Sequence, residues 1–205
     1  MPAEQGLAIA SKATARVFFA LWPDEQLKAQ LHQASGLLHR AHGGRRMQAD
    51  TVHLTLLFIG AIERERLPEL QAAVNAIQLP QFDVTFDQAD CWRHNRIAFL
   101  TASEPPAGLF DLVRALEALA AQAAIAFDHR PYKPHITLVR NADCKKENAV
   151  LVQANSGAAE VKRSGRNPNP ALEPILWAAR DFVLVESGLA SNGAGYRVLG
   201  RWPLL

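Results

Sequence analysis

Two short stretches decide how this chain is read: TVHLTLLFIG, residues 51–60, and KPHITLVR, residues 133–140. Each holds histidine, an aliphatic residue, threonine and leucine, as His53-Leu54-Thr55-Leu56 and His135-Ile136-Thr137-Leu138. With seven histidines in 205 residues, a tetrapeptide of this kind is expected by chance only about 0.005 times in the chain. A single copy would pass as a packed strand histidine beside a good strand former. Two copies call for a common role.

Both stretches read as strands. In a strand, side chains i and i+2 share a face. His53 and Thr55 therefore face one way, while Leu54 and Leu56 enter a core. His135 and Thr137 oppose Ile136 and Leu138 in the same manner. If the two strands meet across a cleft, its floor carries two imidazoles and two hydroxyls. Hydroxyls donate to the non-bridging oxygens of a phosphate. A neutral imidazole takes a proton from a nucleophile and an imidazolium gives one to a leaving oxygen, both forms being accessible near an ordinary histidine pKa of about 6.5. Such a pair suffices to displace an alkoxide from phosphorus without a metal. Strict alternation turns Arg140 away from this face, unless a bulge or strand end at Val139-Arg140 intervenes.

Outward from these motifs, RVFFALWPD (16–24) is a strand stopped by proline, and 25–42 has a helical stripe of Leu27, Leu31, Ala34, Leu38 and Ala41. HGGRR (42–46) reads as a loop. The first motif strand spans 51–59. Residues 67–78 and 108–123 are helices, 81–92 and 96–103 strands around a turn, and 134–140 the second motif strand. Residues 175–189 and 195–204 form a closing pair. Strands joined by tight turns imply antiparallel sheets and an α+β fold. No GxxxxGK[ST] or GxGxxG phosphate loop is present.

Hydrophobic content of 49%, charged content of 20% and a formal charge of +2 describe an ordinary globular chain without a global field toward nucleic acid or membrane. Residues 1–13 read as a loose tail and 14–205 as a single bilobal domain. The start lacks the basic and apolar runs of a secretory signal or membrane span. Cys91 and Cys144 show neither CxxC nor metal spacing, which reads as a reduced, cytoplasmic protein. His32, His39 and His42 share a helix, but no carboxylate or cysteine completes a metal set. Arg45 and Arg46 precede the first motif, where they either guide RNA phosphates or lie on an exposed loop. Phe58, Trp92, Tyr132 and Trp177 are candidates to stack a base, Tyr132 foremost, with Phe58 assigned to the core by its phase.

At these residues the chain resembles the two-histidine phosphoesterases, and most closely the RNA 2′,3′-cyclic phosphodiesterases, also called 2′-5′ RNA ligases. RVFFALWPD resembles the family's opening strand, GGRRMQADTVHLTLLFIG its first motif, RPYKPHITLVR its second, and DFVLVESGLASNGAGYRVLGRWPL its closing hairpin. Met47 stands where an aromatic is common, and 141–173 matches poorly. The resemblance implies a two-lobed, pseudo-twofold α+β fold, an antiparallel-rich sheet with helices in each lobe and the active-site cleft between them. It implies that an RNA end bearing a 2′,3′-cyclic phosphate is opened to a 2′-phosphate. His135 would activate water and His53 protonate the 3′ oxygen. Thr55, Thr137 and Arg140 would hold the phosphate; Tyr132 and Arg46 are further substrate contacts that the residues themselves suggest, apart from the resemblance. The reverse reaction would join RNA ends without ATP. The resemblance implies no metal, no cofactor, no membrane and a monomer whose partner is the RNA end. Two other readings stand beside it. One keeps the chemistry on 2′-5′ oligoadenylate or a cyclic ADP-ribose phosphate, and the other is an RNA- or phosphate-binding module without turnover.

Overall fold

The computed structural model describes residues 13–145, 172–190 and 193–205. All but one residue of the expected tail, most of the polar stretch 141–173, and Ser191 and Asn192 of the closing turn lie outside the described residues.

Strand β1 (Thr14–Leu21) leads through Asp24 into helix α1 (Glu25–His42). The Asp24 side chain accepts from the Leu27 N–H at 2.8 Å, a cap of about 1 kcal/mol, and Gly43 ends the helix with φ +63. The expected stripe is the buried face: Leu27, Leu31, Ala34, Leu38 and Ala41 all enter the core. HGGRR is not only a loop. Arg45 and Arg46 form a short strand, β2, paired with Arg140 and Val139. Gly44 permits it, since a Cβ there would stand 2.5 Å from the Arg140 carbonyl oxygen and its φ is +83.

The first motif strand, β3 (Leu54–Glu63), starts later than expected. Residues 49–51 make a turn of 3-10 helix, and His53 sits at the strand's threshold. Then follow α2 (Leu67–Val74), β4 (Phe82–Phe86), β5 (Gln88–Trp92), β6 (Ile97–Thr101), α3 (Ala107–Gln122), β7 (Ile136–Arg140), β8 (Ile175–Ala179), β9 (Asp181–Ala190) and β10 (Gly193–Pro203). Two expected single strands are split. Residues 81–92 break at Asp87, whose carboxylate takes the Ser103 backbone N–H at 2.7 Å and its hydroxyl. Residues 175–189 break at Arg180, which donates to Asp83 at 3.3 Å. In both cases the first piece joins a two-stranded sheet, β4-β8, and the second joins the main sheet. Periodicity is blind to such a transfer because both pieces remain half-buried strands.

The main sheet runs β10-β9-β1-β3-β7-β6-β5, with β2 beside β7. Its pairs are antiparallel, among them β5–β6 and β9–β10, the two that the sequence read as joined by tight turns. The two lobes are halves of this one sheet, joined where β3 meets β7. Helix α1 packs on β7 and α3 on β3, so each helix covers the lobe opposite its own motif. The main core lies under the helices. A smaller cluster of Phe18, Ala20, Val183 and Val185 occupies the other face.

The cysteines correct the reduced reading. Cys91 and Cys144 are joined as a disulfide with Cα atoms 5.4 Å apart. It ties β5 to the chain just past β7. Arg96 adds to this tie, donating to the Ala142 and Asn141 carbonyls at 3.3 and 3.2 Å. Among the described residues no helix is long and apolar enough to cross a membrane.

Candidate active site

Leu54 and Ile136, the residues between histidine and threonine in each motif, are paired across β3 and β7. Antiparallel register carried one step either way sets His53 opposite Thr137 and Thr55 opposite His135. The four side chains that the sequence placed on two strands thus meet on one face, around a local twofold axis. His53, Thr55, His135 and Thr137 are all partly exposed there, while Leu54 and Ile136 are fully buried beneath them.

The histidines are held alike. His53 Nδ1 lies 2.8 Å from the Thr51 carbonyl, and His135 Nδ1 lies 2.7 Å from the Lys133 carbonyl. A carbonyl only accepts, so each Nδ1 carries the proton and donates it, leaving Nε2 as the unprotonated, accepting nitrogen. Both acceptors stand two residues before their histidine.

Aromatic walls desolvate both rings. His53 stacks on Trp22, with centroids 5.4 Å apart and planes 5° apart, and touches Phe18 at 4.8 Å and Tyr196 at 5.3 Å. His135 lies 4.6 Å from Trp92 and 5.7 Å from Phe99. Burial lowers the His53 pKa to about 4, with the Arg140 and His135 charges pushing the same way against the Thr51 hydrogen bond. Burial also lowers His135, the Lys133 bond opposing and Arg140 assisting. Both imidazoles are therefore held toward their neutral forms until an anion arrives. Among the described residues neither threonine hydroxyl is engaged in a hydrogen bond, so both remain available as donors.

Arg140 reaches this site through a bulge. The β6–β7 register passes from Ala98–Val139 to Phe99–Thr137, leaving Leu138 as an extra residue. Leu138 and Val139 are consequently both buried, and Arg140 emerges exposed on the histidine face. The bulge is one residue earlier than the place where alternation demanded it. The charge of Arg140 is felt at both imidazoles.

Other sequence candidates go elsewhere. Arg46 donates from Nε to the Ser35 hydroxyl at 2.9 Å and from Nη2 to the His32 carbonyl at 2.6 Å, so its guanidinium pins β2 to α1. Tyr132 packs its ring on the main core against Phe110 and donates its hydroxyl to the Thr55 carbonyl at 3.2 Å. Burial pushes its phenol above the usual value. It braces the first motif from the loop leading into the second. Trp177 is buried beside Phe86. Of the stacking candidates only Trp92 and Phe58 lie on the cleft face. Phe18, Trp22 and Tyr196 were missed. The signal was present in β1, whose VFFAL run is apolar at odd and even positions, which means that both of its faces are covered.

A family profile described as LigT like Phosphoesterase matches the chain twice, over residues 21–99 and 100–196. The two matches divide the two motifs between them. The chain is 30% identical over 189 residues to the Escherichia coli (strain K12) protein named RNA 2′,3′-cyclic phosphodiesterase, covering 92% of this chain and 96% of that one. A protein of the same name from Thermus thermophilus is 27% identical over 204 residues, covering 92% and 90%. The crystal structure of E. coli LigT complexed with 3′-AMP superposes with a TM-score of 0.72 at 30% identity, covering 94% of this chain and 99% of that one.

Proposed function

We propose that this chain, which belongs to the LigT-like phosphoesterase family, hydrolyses the 2′,3′-cyclic phosphate at an RNA end to a 2′-phosphate. The observation that supports this most directly is the crossed pair of histidine and threonine sets around the Leu54–Ile136 junction. A phosphate above that junction has an imidazole on each side and a hydroxyl beside each imidazole.

The reaction follows from this arrangement. Thr55 and Thr137 donate to non-bridging oxygens and Arg140 offsets their charge. His135 Nε2 takes a proton from water as the water oxygen bonds to phosphorus. His53 Nε2 gives a proton to the 3′ oxygen as its bond to phosphorus breaks. The incoming phosphate monoanion, set between two desolvated imidazoles, raises His53 from about 4 and so favours the protonated form that an acid requires. The site returns to its starting charge after one proton exchange with solvent. With a 5′-hydroxyl in place of water as the nucleophile, the same step forms a P–O5′ bond as the P–O3′ bond breaks and joins two RNA ends, the cyclic ester supplying the energy. Tyr132 holds the first motif in register rather than stacking a base. Arg46 has no part in the site.

The test is turnover of an oligonucleotide ending in a 2′,3′-cyclic phosphate, with the product identified as the 2′-phosphate. We expect His53→Ala and His135→Ala each to lower kcat by at least about 100-fold, EDTA to leave the rate unchanged, and the wild-type rate to trace a bell against pH. Full activity in either variant, or loss to chelator alone, overturns the scheme. Tight RNA binding with no turnover of any cyclic phosphate supports a binding module instead.

A further inference from the structure

The device that turns Arg140 into the cleft also operates in the first motif. The β1–β3 register passes from Phe19–Leu57 to Ala20–Thr55, leaving Leu56 as an extra residue. Leu56 and Leu57 are both buried, and Phe58 returns half-exposed to the face of His53 and Thr55. Leu56 and Leu138 are each the third residue after their histidine, and Phe58 and Arg140 each the fifth. Phe58 is thus the twofold counterpart of Arg140, and the first motif has an aromatic ring where the second has a cation.

A neighbouring strand provides the cation. The Arg16 guanidinium of β1 sits over the Phe58 ring, 4.7 Å from its centroid. Arg16 alternates with Ala15 and Val17 of the main core and shares its face with Phe18 and Ala20. It is exposed, and among the described residues it enters no ion pair, whereas Arg64 and Arg197 on nearby segments both hold Glu186. Phe58 packs with Phe18, Trp22 and Tyr196 around one small cluster, and those three rings also wall His53. An aromatic floor therefore runs from the catalytic imidazole to a stacked, unneutralised guanidinium.

We propose that Arg16, set on Phe58, is a subsite for an internucleotide phosphate of the RNA, upstream of its cyclic end. The proposal rests on the phosphodiesterase reading and adds to it a reason to prefer an oligonucleotide over a mononucleotide. Stacking on a ring fixes a guanidinium while leaving its in-plane N–H donors free for phosphate oxygens. From Thr55 to Phe58 is three strand residues, ~10 Å, beyond the single phosphate at the histidines. A substrate of one nucleotide leaves this cation untouched. A longer one lays its backbone along the floor toward it.

The experiment compares a 2′,3′-cyclic mononucleotide with a cyclic-phosphate-ended hexanucleotide for wild type, Arg16→Gln and Phe58→Leu, with melting curves to confirm folding. We expect kcat/KM on the hexanucleotide to fall about fivefold to twentyfold in both variants, and on the mononucleotide to stay within about twofold in Arg16→Gln. We expect the salt slope of log kcat/KM on the hexanucleotide to shrink by about 0.7 in Arg16→Gln, the share of one phosphate contact. Equal losses on both substrates, or no loss on either, overturn the subsite. Affinity for a 2′-phosphate-ended hexanucleotide, read by fluorescence anisotropy, examines it without turnover. If wild type opens neither cyclic substrate the phosphodiesterase reading fails. The subsite then stands only if Arg16→Gln weakens this binding with the smaller salt slope, and falls if it does not.

Discussion

Leu54 lies directly across from Ile136, and this pair is the whole ladder between β3 and β7. Every other contact between neighbouring strands of the main sheet spans several residues, apart from the two-residue β2. A sheet joined by one pair can splay on either side of it, which is how one continuous sheet also forms a cleft. Both residues are fully buried, so the main core pins the junction from below while the two motif histidines and two motif threonines stand above it. The crossed placement of the two histidine–threonine sets follows from this register.

The brace on that junction is open to test. Tyr132 donates its hydroxyl to the Thr55 carbonyl at 3.2 Å. Tyr132→Phe keeps the ring on the core and leaves the carbonyl without this donor. We expect a stability loss of about 1 kcal/mol and a several-fold fall in kcat with little change in KM, because Thr55 loses its placement and not its hydroxyl. Urea melts and steady-state kinetics read the two effects. Thr55→Ser, which keeps hydroxyl and backbone, should retain more activity than Tyr132→Phe.

The buried imidazole gives a pH signature to folding. The His53 pKa falls from 6.5 in the unfolded chain to about 4 in the folded one. Between these values the unfolded chain binds more protons, so stability rises with pH there. The neutral, buried state of His53 contributes its full share above about 6.5, loses it progressively as pH falls, and has lost it all below about 4. The ceiling on this share is about 3 kcal/mol, and His135, shifted in the same direction, adds to it. Denaturant melts from pH 4 to 8 should show the slope, and His53→Asn should flatten it.

Gly44 controls where Arg140 sits. A methyl group at Gly44 would lie 2.5 Å from the Arg140 carbonyl oxygen, on a backbone with φ +83. Gly44→Ala must strain the turn or push β2 off β7. We expect a cost of about 1–3 kcal/mol and a raised KM as Arg140 moves from the phosphate. Gly43→Ala has a positive φ but open space around it. It should cost stability without raising KM.

Much of this was legible because it rests on local rules. The α1 stripe, the antiparallel class and the shared face of His53 with Thr55 and His135 with Thr137 follow from periods of 3.6 and 2. What alternation alone misread were Phe58 and Arg140, since a bulge at Leu56 or Leu138 inverts the phase without altering composition. Arg46 misled for a different reason: an arginine near a phosphate motif is equally able to bind backbone carbonyls and hydroxyls, and here Ser35 and His32 claim it. The splits at Asp87 and Arg180 were invisible because the pieces on either side remain half-buried strands, so the change of sheet leaves the alternation intact. The cysteines carried no local signal, standing 53 residues apart.

That disulfide supplies the last prediction. Cys91 adjoins Trp92, which packs on His135, and Cys144 follows shortly after Arg140. Closing a loop of this length contributes on the order of 4 kcal/mol in the chain-entropy picture. Reduction should therefore lower the melting temperature by roughly 5–15 °C in a chain of this size. It should also weaken the wall that desolvates His135, so the His135 pKa should move back up toward its ordinary value. Melting with and without dithiothreitol gives the first effect, and the histidine proton NMR titration gives the second. Cys144→Ser should match the reduced wild type in both and be insensitive to dithiothreitol. If reduction changes neither the melting temperature nor the titration, the bridge does not brace the second motif.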